Sequence, residues 1–264
     1  MKVTHFLAAI LPVCLAVSVA GMERSQAIWK VGGDAPVDPT VKLTQTAEWV
    51  ATPRNGNGLE FHGNGSTATV PGFPQREYAD LTLSLFFRVN EYPRGQEDGG
   101  IGEGALVSNG YDWLVRCYSG GRIYVGFRTV DGELNGMFCD AKIELNHWNH
   151  LAAVWSRESG TFICYINGER AALSGDAVLN VKAAERAELT LGGDPDGGYF
   201  FGTIADLAIF ERALTPAEVT TLARSVAPEF TAPENLPGFH VFVTDPYSNR
   251  PIVPDSYLDA SLLN

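Results

Sequence analysis

The chain has 264 residues, long for one domain and short for two, and 19 Lys and Arg against 31 Asp and Glu leave it at −12. That balance excludes a nucleic-acid binder, which needs a basic face. It fits a secreted protein, a cation binder or a merely soluble chain of a size that buries a full core without help from disulfides.

Residues 1–20 read as a signal peptide. Lys2 gives the positive start, Phe6 to Val19 is apolar, and Ser18-Val19-Ala20 places small residues before a cut at Gly21, with Ser25-Gln26-Ala27 as a second site. The apolar run is too short to span a bilayer, and nothing later could. Val13 before Cys14 argues against a lipoprotein. Residues 21–57 carry weak signals, a short strand at Ala27–Val31 and another at Val41–Val50. Leu59-Glu-Phe, Gly63-Asn-Gly and Thr67-Ala-Thr-Val then read as a hairpin. Asn64-Gly65-Ser66 is also a glycosylation sequon, but a turn chosen for backbone geometry is the stronger reading.

Leu81, Leu83, Leu85, Phe87 and Val89 alternate with Thr82, Ser84, Phe86 and Arg88, the pattern of a half-buried strand. A Gly-rich acidic loop follows from Glu91 to Gly104, then strands at Ala105–Ser108 and Tyr111–Tyr118. Past a Gly-Gly turn, Ile123, Val125 and Phe127 face inward. Met137–Ile143 leads into a hairpin over 146–168. There Leu151–Trp155 is apolar at every position, as in a strand covered on both faces. Ser156–Gly160 turns, Thr161–Ile166 returns, and Asn167-Gly168 is a strong type I′ signal. Leu189–Gly192 and Ile204–Phe210 are late strands. Thr215, Pro216 and Glu218 spell a capped helix start, with Leu214 stapling to Val219 and an end near Arg224. From Val226 six prolines forbid regular central elements, so residues 226–264 are a tail or linker. Short strands with Gly-rich turns predict an all-β, two-sheet antiparallel sandwich with one short helix. Leu83, Leu85, Phe87, Trp113, Val115, Ile123, Val125, Phe127, Phe162, Cys164 and Ile166 should fill its core, with Arg88 and Arg116 facing away.

Trp148-Asn-His-Leu-Ala-Ala-Val-Trp, a polar turn, then Thr161-Phe-Ile-Cys-Tyr-Ile-Asn-Gly resembles the central hairpin of laminin G-like and pentraxin-like domains. Leu191-Gly-Gly-Asp-Pro-Asp-Gly-Gly, Phe201-Gly-Thr-Ile and the helix start are similar to the closing strands and helix of the same domains. The resemblance implies a jelly roll of the concanavalin A-like type over residues 58–225. It is specific for fold and weak for function.

Removal of Cys14 leaves Cys117, Cys139 and Cys164; alternation gives Cys117 and Cys164 core duties, and one bridge among the three stays open. Related sandwich enzymes need two carboxylates across a sugar, commonly from one strand as Glu-x-Asp-x-x-Glu. This chain contains no Glu-x-Asp, no nucleophile elbow, no zinc-protease motif and no P-loop. His147 and His150 flank Trp148 at a strand start, where a structural role outweighs a catalytic one.

The loop Gly192–Gly198 is a candidate calcium site. Asp194 and Asp196 are spaced by Pro among glycines, the segment similar to that where pentraxin-like domains hold the ion. Glu97 and Asp98 in the earlier loop would supply the other side. An ordinary solvated Asp-Pro-Asp-Gly turn explains the same residues. That family's disulfide is missing, since Ser84 and Ala153 hold the corresponding positions. Tyr92, Tyr111, Tyr199 and Phe200 sit at loop edges where rings could stack on sugars. The expectation is an exported, non-catalytic module that binds a glycan or an extracellular protein, with calcium as an aid. It would act as a secreted protein, at the cell surface or in a periplasm, with no transmembrane segment. The alternatives are a glycoside hydrolase or lyase of the same fold, and a structural accessory module of a surface assembly.

Overall fold

The structure, a computed structural model, describes residues 27, 29–33, 37–53, 56–94, 102–195 and 197–224. In chain order β1 is Trp29–Val31, β2 Lys42–Thr44, β3 Glu48–Thr52, β4 Gly56–His62 and β5 Thr67–Pro71. β6 is Asp80–Val89, β7 Glu103–Asn109, β8 Trp113–Tyr118, β9 Arg122–Arg128 and β10 Leu134–Lys142. β11 is Trp148–Ser156, β12 Thr161–Ile166, β13 Glu169–Ser174, β14 Glu188–Leu191 and β15 Phe201–Phe210; α1 is Pro216–Arg224.

The strands form two antiparallel sheets. The first has the order β13-β12-β11-β6-β15-β4-β3, with β1 also on β15; the second runs β10-β9-β8-β7-β14-β5-β2. Their inner faces meet in one core, and every residue assigned to that core by alternation is at most 5% exposed. Trp113 anchors it, edge-on to Phe73 and Phe127 at 5.0 Å each. The central hairpin forms as expected: Ser156 pairs with Thr161, and Asn167 and Gly168 take the positive φ of a tight turn between β12 and β13.

Four expectations are corrected. Leu59–Phe61 and Thr67–Val70 are not a hairpin: β4 lies in the first sheet and β5 in the second. Gly63, Asn64 and Gly65 all have positive φ, so the four-residue link is a corner that carries the chain across the core. Both strands find other partners, β4 with β3 and β15, β5 with β14 and β2. Val41–Val50 is two strands, broken at Gln45 with φ 53°. β6 is buried on both faces rather than one, because Thr82, Ser84 and Phe86 are covered as well. Cys164 is more than a small hydrophobe, since it is bridged to Cys139 with Cα atoms 6.3 Å apart. The bridge joins β10 of one sheet to β12 of the other.

The two sheets differ on their outer faces. On the first, Leu214 just before α1 and Val219 within it pack with Ala152, Val154, Tyr165, Ala208 and Phe210 into a second apolar layer. This is why Leu151–Trp155 is apolar at every position. On the second, β10 alternates between exposed and half-covered residues, and no helix covers it among the described residues.

Candidate functional site

Asp194 and Arg116 come together on the open face of the second sheet. The loop after β14 folds onto that sheet: Gly192 N–H donates to Leu106 O at 3.2 Å, Ser108 Oγ to Gly193 O at 3.0 Å, and Ala105 N–H to Gly198 O at 3.0 Å. Asp194 is thereby set over β8, with its Oδ2 2.8 Å from Arg116 Nη2 and its Oδ1 accepting from Gly198 N–H at 3.2 Å. Glu103 binds Arg116 Nη1 from the other side at 3.1 Å. The Asp194 side chain is 0% exposed and that of Arg116 11%. Burial works against the guanidinium's charge; Asp194, the Tyr118 hydrogen bond and Glu103 together outweigh it, so the Arg116 pKa moves up.

Asp194 was expected on an exposed rim, and the structure corrects that: its carboxylate is buried and committed to an ion pair. Arg116 does face away from the core, yet it is buried too, under this loop. Asp196, Glu97 and Asp98 lie outside the described residues.

The four aromatic candidates separate. Phe200 is 0% exposed and packs on Phe61 with ring centroids 6.4 Å apart, so it is a core residue and not a stacking surface. Tyr92 is half-buried, with its hydroxyl donating to Ile143 O at 2.5 Å. Tyr199 is exposed, and its ring lies beside Gly193. Tyr111 is exposed and lines a concavity of about 370 Å³ with Asp112, Arg128, Lys182, Glu185 and Pro195. The charges there answer one another: Asp112 holds Arg128 at 3.0 Å and Lys182 at 3.5 Å, and Lys182 reaches Glu185 at 2.8 Å. Tyr111 and the Asp-Pro turn thus share a surface; the acidic loop residues and Tyr92 are not shown joining them.

The two histidines differ in placement. His150 Nε2 lies 2.9 Å from Ser84 Oγ, and its ring leans against Phe86 with centroids 4.6 Å apart. His147 is exposed beside Glu144 at 3.8 Å.

A row of side chains that the loop-edge reading missed crosses the same open face. Phe138, Tyr124 and Arg116 are register partners on β10, β9 and β8. Phe138 is 40% exposed. Tyr118 and Tyr124 meet it edge-to-face at 5.2 Å each, and the Arg122 guanidinium lies 4.1 Å from its ring centre. Tyr124 lies flat across two glycines. A Cβ on Gly136 would fall 2.1 Å from its hydroxyl, and one on Gly126 3.1 Å from its ring. One ring face is therefore pressed to backbone, and Tyr124 is half-buried. Burial raises the pKa of Tyr124, and of Tyr118, where the Glu103 hydrogen bond adds to it. Both hydroxyls stay neutral donors at physiological pH. The signal was present in the sequence: with Ile123, Val125 and Phe127 inward, parity sends Arg122, Tyr124 and Gly126 outward.

The family model described as the concanavalin A-like lectin/glucanases superfamily, in its laminin G form, matches residues 62–220. Pentraxin-related protein PTX3 of Bos taurus is 28% identical over 98 residues, 36% of this chain and 26% of that protein; the human protein is 26% identical over the same extent. The matched stretch thus spans about a quarter of these relatives. Among solved structures, the receptor binding domain of botulinum neurotoxin D aligns with a TM-score of 0.59 at 14% identity, over 76% of this chain and 52% of that one. The botulinum neurotoxin serotype G binding domain aligns at 0.54 and 18%, over 70% and 46%. The serotype D domain in complex with N-acetylneuraminic acid aligns at 0.57 and 14%, over 76% and 51%. At these identities the likeness establishes the fold. Two antiparallel sheets, one capped helix and a family match over more than half the chain agree, and the protein belongs to the concanavalin A-like lectin/glucanases superfamily as a laminin G-like domain.

Proposed function

We propose that the protein is an exported, non-catalytic glycan-binding module, and that sugars bind on the open face of the second sheet. The observation that carries this is the Phe138–Tyr124 pair with Tyr118 and Arg122 beside it, next to the buried Arg116. Flat rings stack on the apolar faces of pyranoses, while tyrosine hydroxyls and the Arg122 guanidinium supply directional hydrogen bonds at the rim. On the other sheet α1 covers the outer side of β11, β12 and β15. Binding domains among the structural neighbours, one of them holding N-acetylneuraminic acid, support the same reading.

Export is supported by the Cys139–Cys164 bridge, a bond that persists in oxidising compartments, and by the signal-like first 20 residues. Among the described residues no helix is long and apolar enough to cross a membrane. Non-catalytic work is supported by the internal pairing of the acids nearest the rings, since Glu103 and Asp194 are both spent on Arg116. For the same reason the reading does not depend on calcium at Asp194, where an ion would have to displace a guanidinium.

A glycan array probed with the mature chain tests this. Wild type should bind at least one glycan class with and without chelator, and Phe138→Ala and Tyr124→Ala should each lose signal. Equal signal from wild type and both variants would place the binding surface elsewhere. Signal that vanishes in chelator would return calcium to the centre of the account.

A further inference from the structure

We propose that Glu48, Glu60 and His62 form a second, unrelated site for a divalent transition-metal ion of the zinc class. It lies on the outer face of the first sheet, at its β3 edge. The register makes Glu48 and Glu60 direct cross-strand partners on β3 and β4. His62 follows Glu60 by two residues, so alternation puts all three on one face. One donor atom from each lies within 4.8 Å of the others.

Several features make this more than two nearby acids. Like charges directly opposite each other destabilise a strand pair. Here they sit opposite on an edge strand, with the Arg88 guanidinium 3.5 Å from Glu60 and also donating to Thr203 Oγ1 at 3.3 Å. Arg88 and Asn90 both approach Glu60 Oε1, which fixes that carboxylate's orientation as outer partners do around a metal. The imidazole is also held in place. It lies tilted against Phe201 with ring centroids 5.9 Å apart, its Nε2 is 3.6 Å from Glu48 Oε1, and the His62 backbone N–H donates to Ser66 Oγ at 3.2 Å. A concavity of about 560 Å³ lined by Thr46, Ala47, Glu48, His62 and Asn64 opens beside these groups, with room for an ion and its waters.

The donor set selects the class of ion. Calcium takes oxygen ligands, whereas imidazole with carboxylates suits zinc and its neighbours. Zinc holds N and O donors at about 2.0–2.2 Å, so two ligands of one ion lie at most roughly 4.4 Å apart. The Glu48 side chain is 62% exposed and free to swing the remaining short distance. Occupation would neutralise the facing glutamates and tie the edge strand β3 to β4.

Calorimetric titration of zinc chloride into the chelator-stripped mature chain is the test. Wild type should take up one zinc per chain and melt at a higher temperature with it, since the ion binds only the folded arrangement. His62→Ala and Glu48→Gln should each bind at least tenfold more weakly and lose the melting shift, while His147→Ala should match wild type. Glu48→Gln changes a solvent-facing edge residue, so it remains informative should His62→Ala fold poorly. No zinc uptake by wild type overturns the proposal, as does undiminished affinity in Glu48→Gln or in a folded His62→Ala.

Discussion

Arg116 carries its charge beneath the loop after β14, and its two carboxylate partners come from different segments, Glu103 on β7 and Asp194 on the loop. Removing one member of a buried pair leaves the other unbalanced, which typically costs about 3–5 kcal/mol; Glu103 stays as a second partner, so Asp194→Ala should cost somewhat less, about 2–4 kcal/mol. Urea unfolding of the variant measures it, and a change below about 0.5 kcal/mol would mean the loop is held by its backbone bonds alone. That Arg116 faces out of the core was legible from alternation. That it is buried was not, because the cover comes from residues almost eighty positions later in the chain. The same limit explains Phe200: adjacent to exposed Tyr199 in sequence, it turns under the sheet to meet Phe61. The Phe138 row was legible from parity alone, since inward Ile123, Val125 and Phe127 send Arg122, Tyr124 and Gly126 outward.

At the scale of elements, local chemistry and long-range pairing fare differently. The helix start is written in adjacent residues and forms as read. Thr215 N–H donates to Glu218 Oε2 at 2.8 Å, and Glu218 N–H donates back to Thr215 Oγ1 at 3.3 Å. Arg212 adds two further bonds to the same carboxylate, at 3.0 and 2.6 Å. These partners, the Arg212 hydrogen bonds first, draw the Glu218 pKa from 4.5 to about 2. The folded value lies below the unfolded one. The cap therefore adds its full stability above the ordinary carboxylate range and loses it as pH falls from 4.5 toward 2. Thermal melts of Glu218→Gln should sit below wild type at pH 7 and converge with it near pH 2. A constant gap across that range would mean ionisation of Glu218 contributes nothing. The corner between β4 and β5 shows the opposite case. Gly63-Asn64-Gly65 announces a reversal, but whether the two arms pair or part is decided by β14 and β15, far along the chain. Turn chemistry fixes the bend, and distant partners fix the sheet.

Across the whole molecule, the Cys139–Cys164 bridge pins the two sheets together through β10 and β12, the strands beneath and opposite the aromatic face. Its partners could not be chosen from three cysteines in the sequence, because parity says which side chains point inward and not which two meet. Among the described residues Cys117 is the free thiol, 0% exposed, and burial pushes its pKa up to about 12. A thiol reagent should find none reactive in the native mature protein and one after denaturation; three after denaturation without reductant would refute the bridge. The bridge closes a loop of 25 residues, so Cys139→Ser with Cys164→Ser should lower stability by roughly 3 kcal/mol in urea unfolding.

The two outer faces differ: α1 packs on β11, β12 and β15 of the first sheet, while Phe138 and Tyr124 on β10 and β9 lie under no helix among the described residues. The most direct measurement is a calorimetric titration of the strongest array glycan into wild type, Tyr124→Ala, Phe138→Ala and Tyr199→Ala. The account predicts that loss of Tyr124 or Phe138 weakens binding about tenfold or more, about 1.4 kcal/mol, while Tyr199→Ala changes little. Wild-type affinity in both Tyr124→Ala and Phe138→Ala, or a loss confined to Tyr199→Ala, would contradict it.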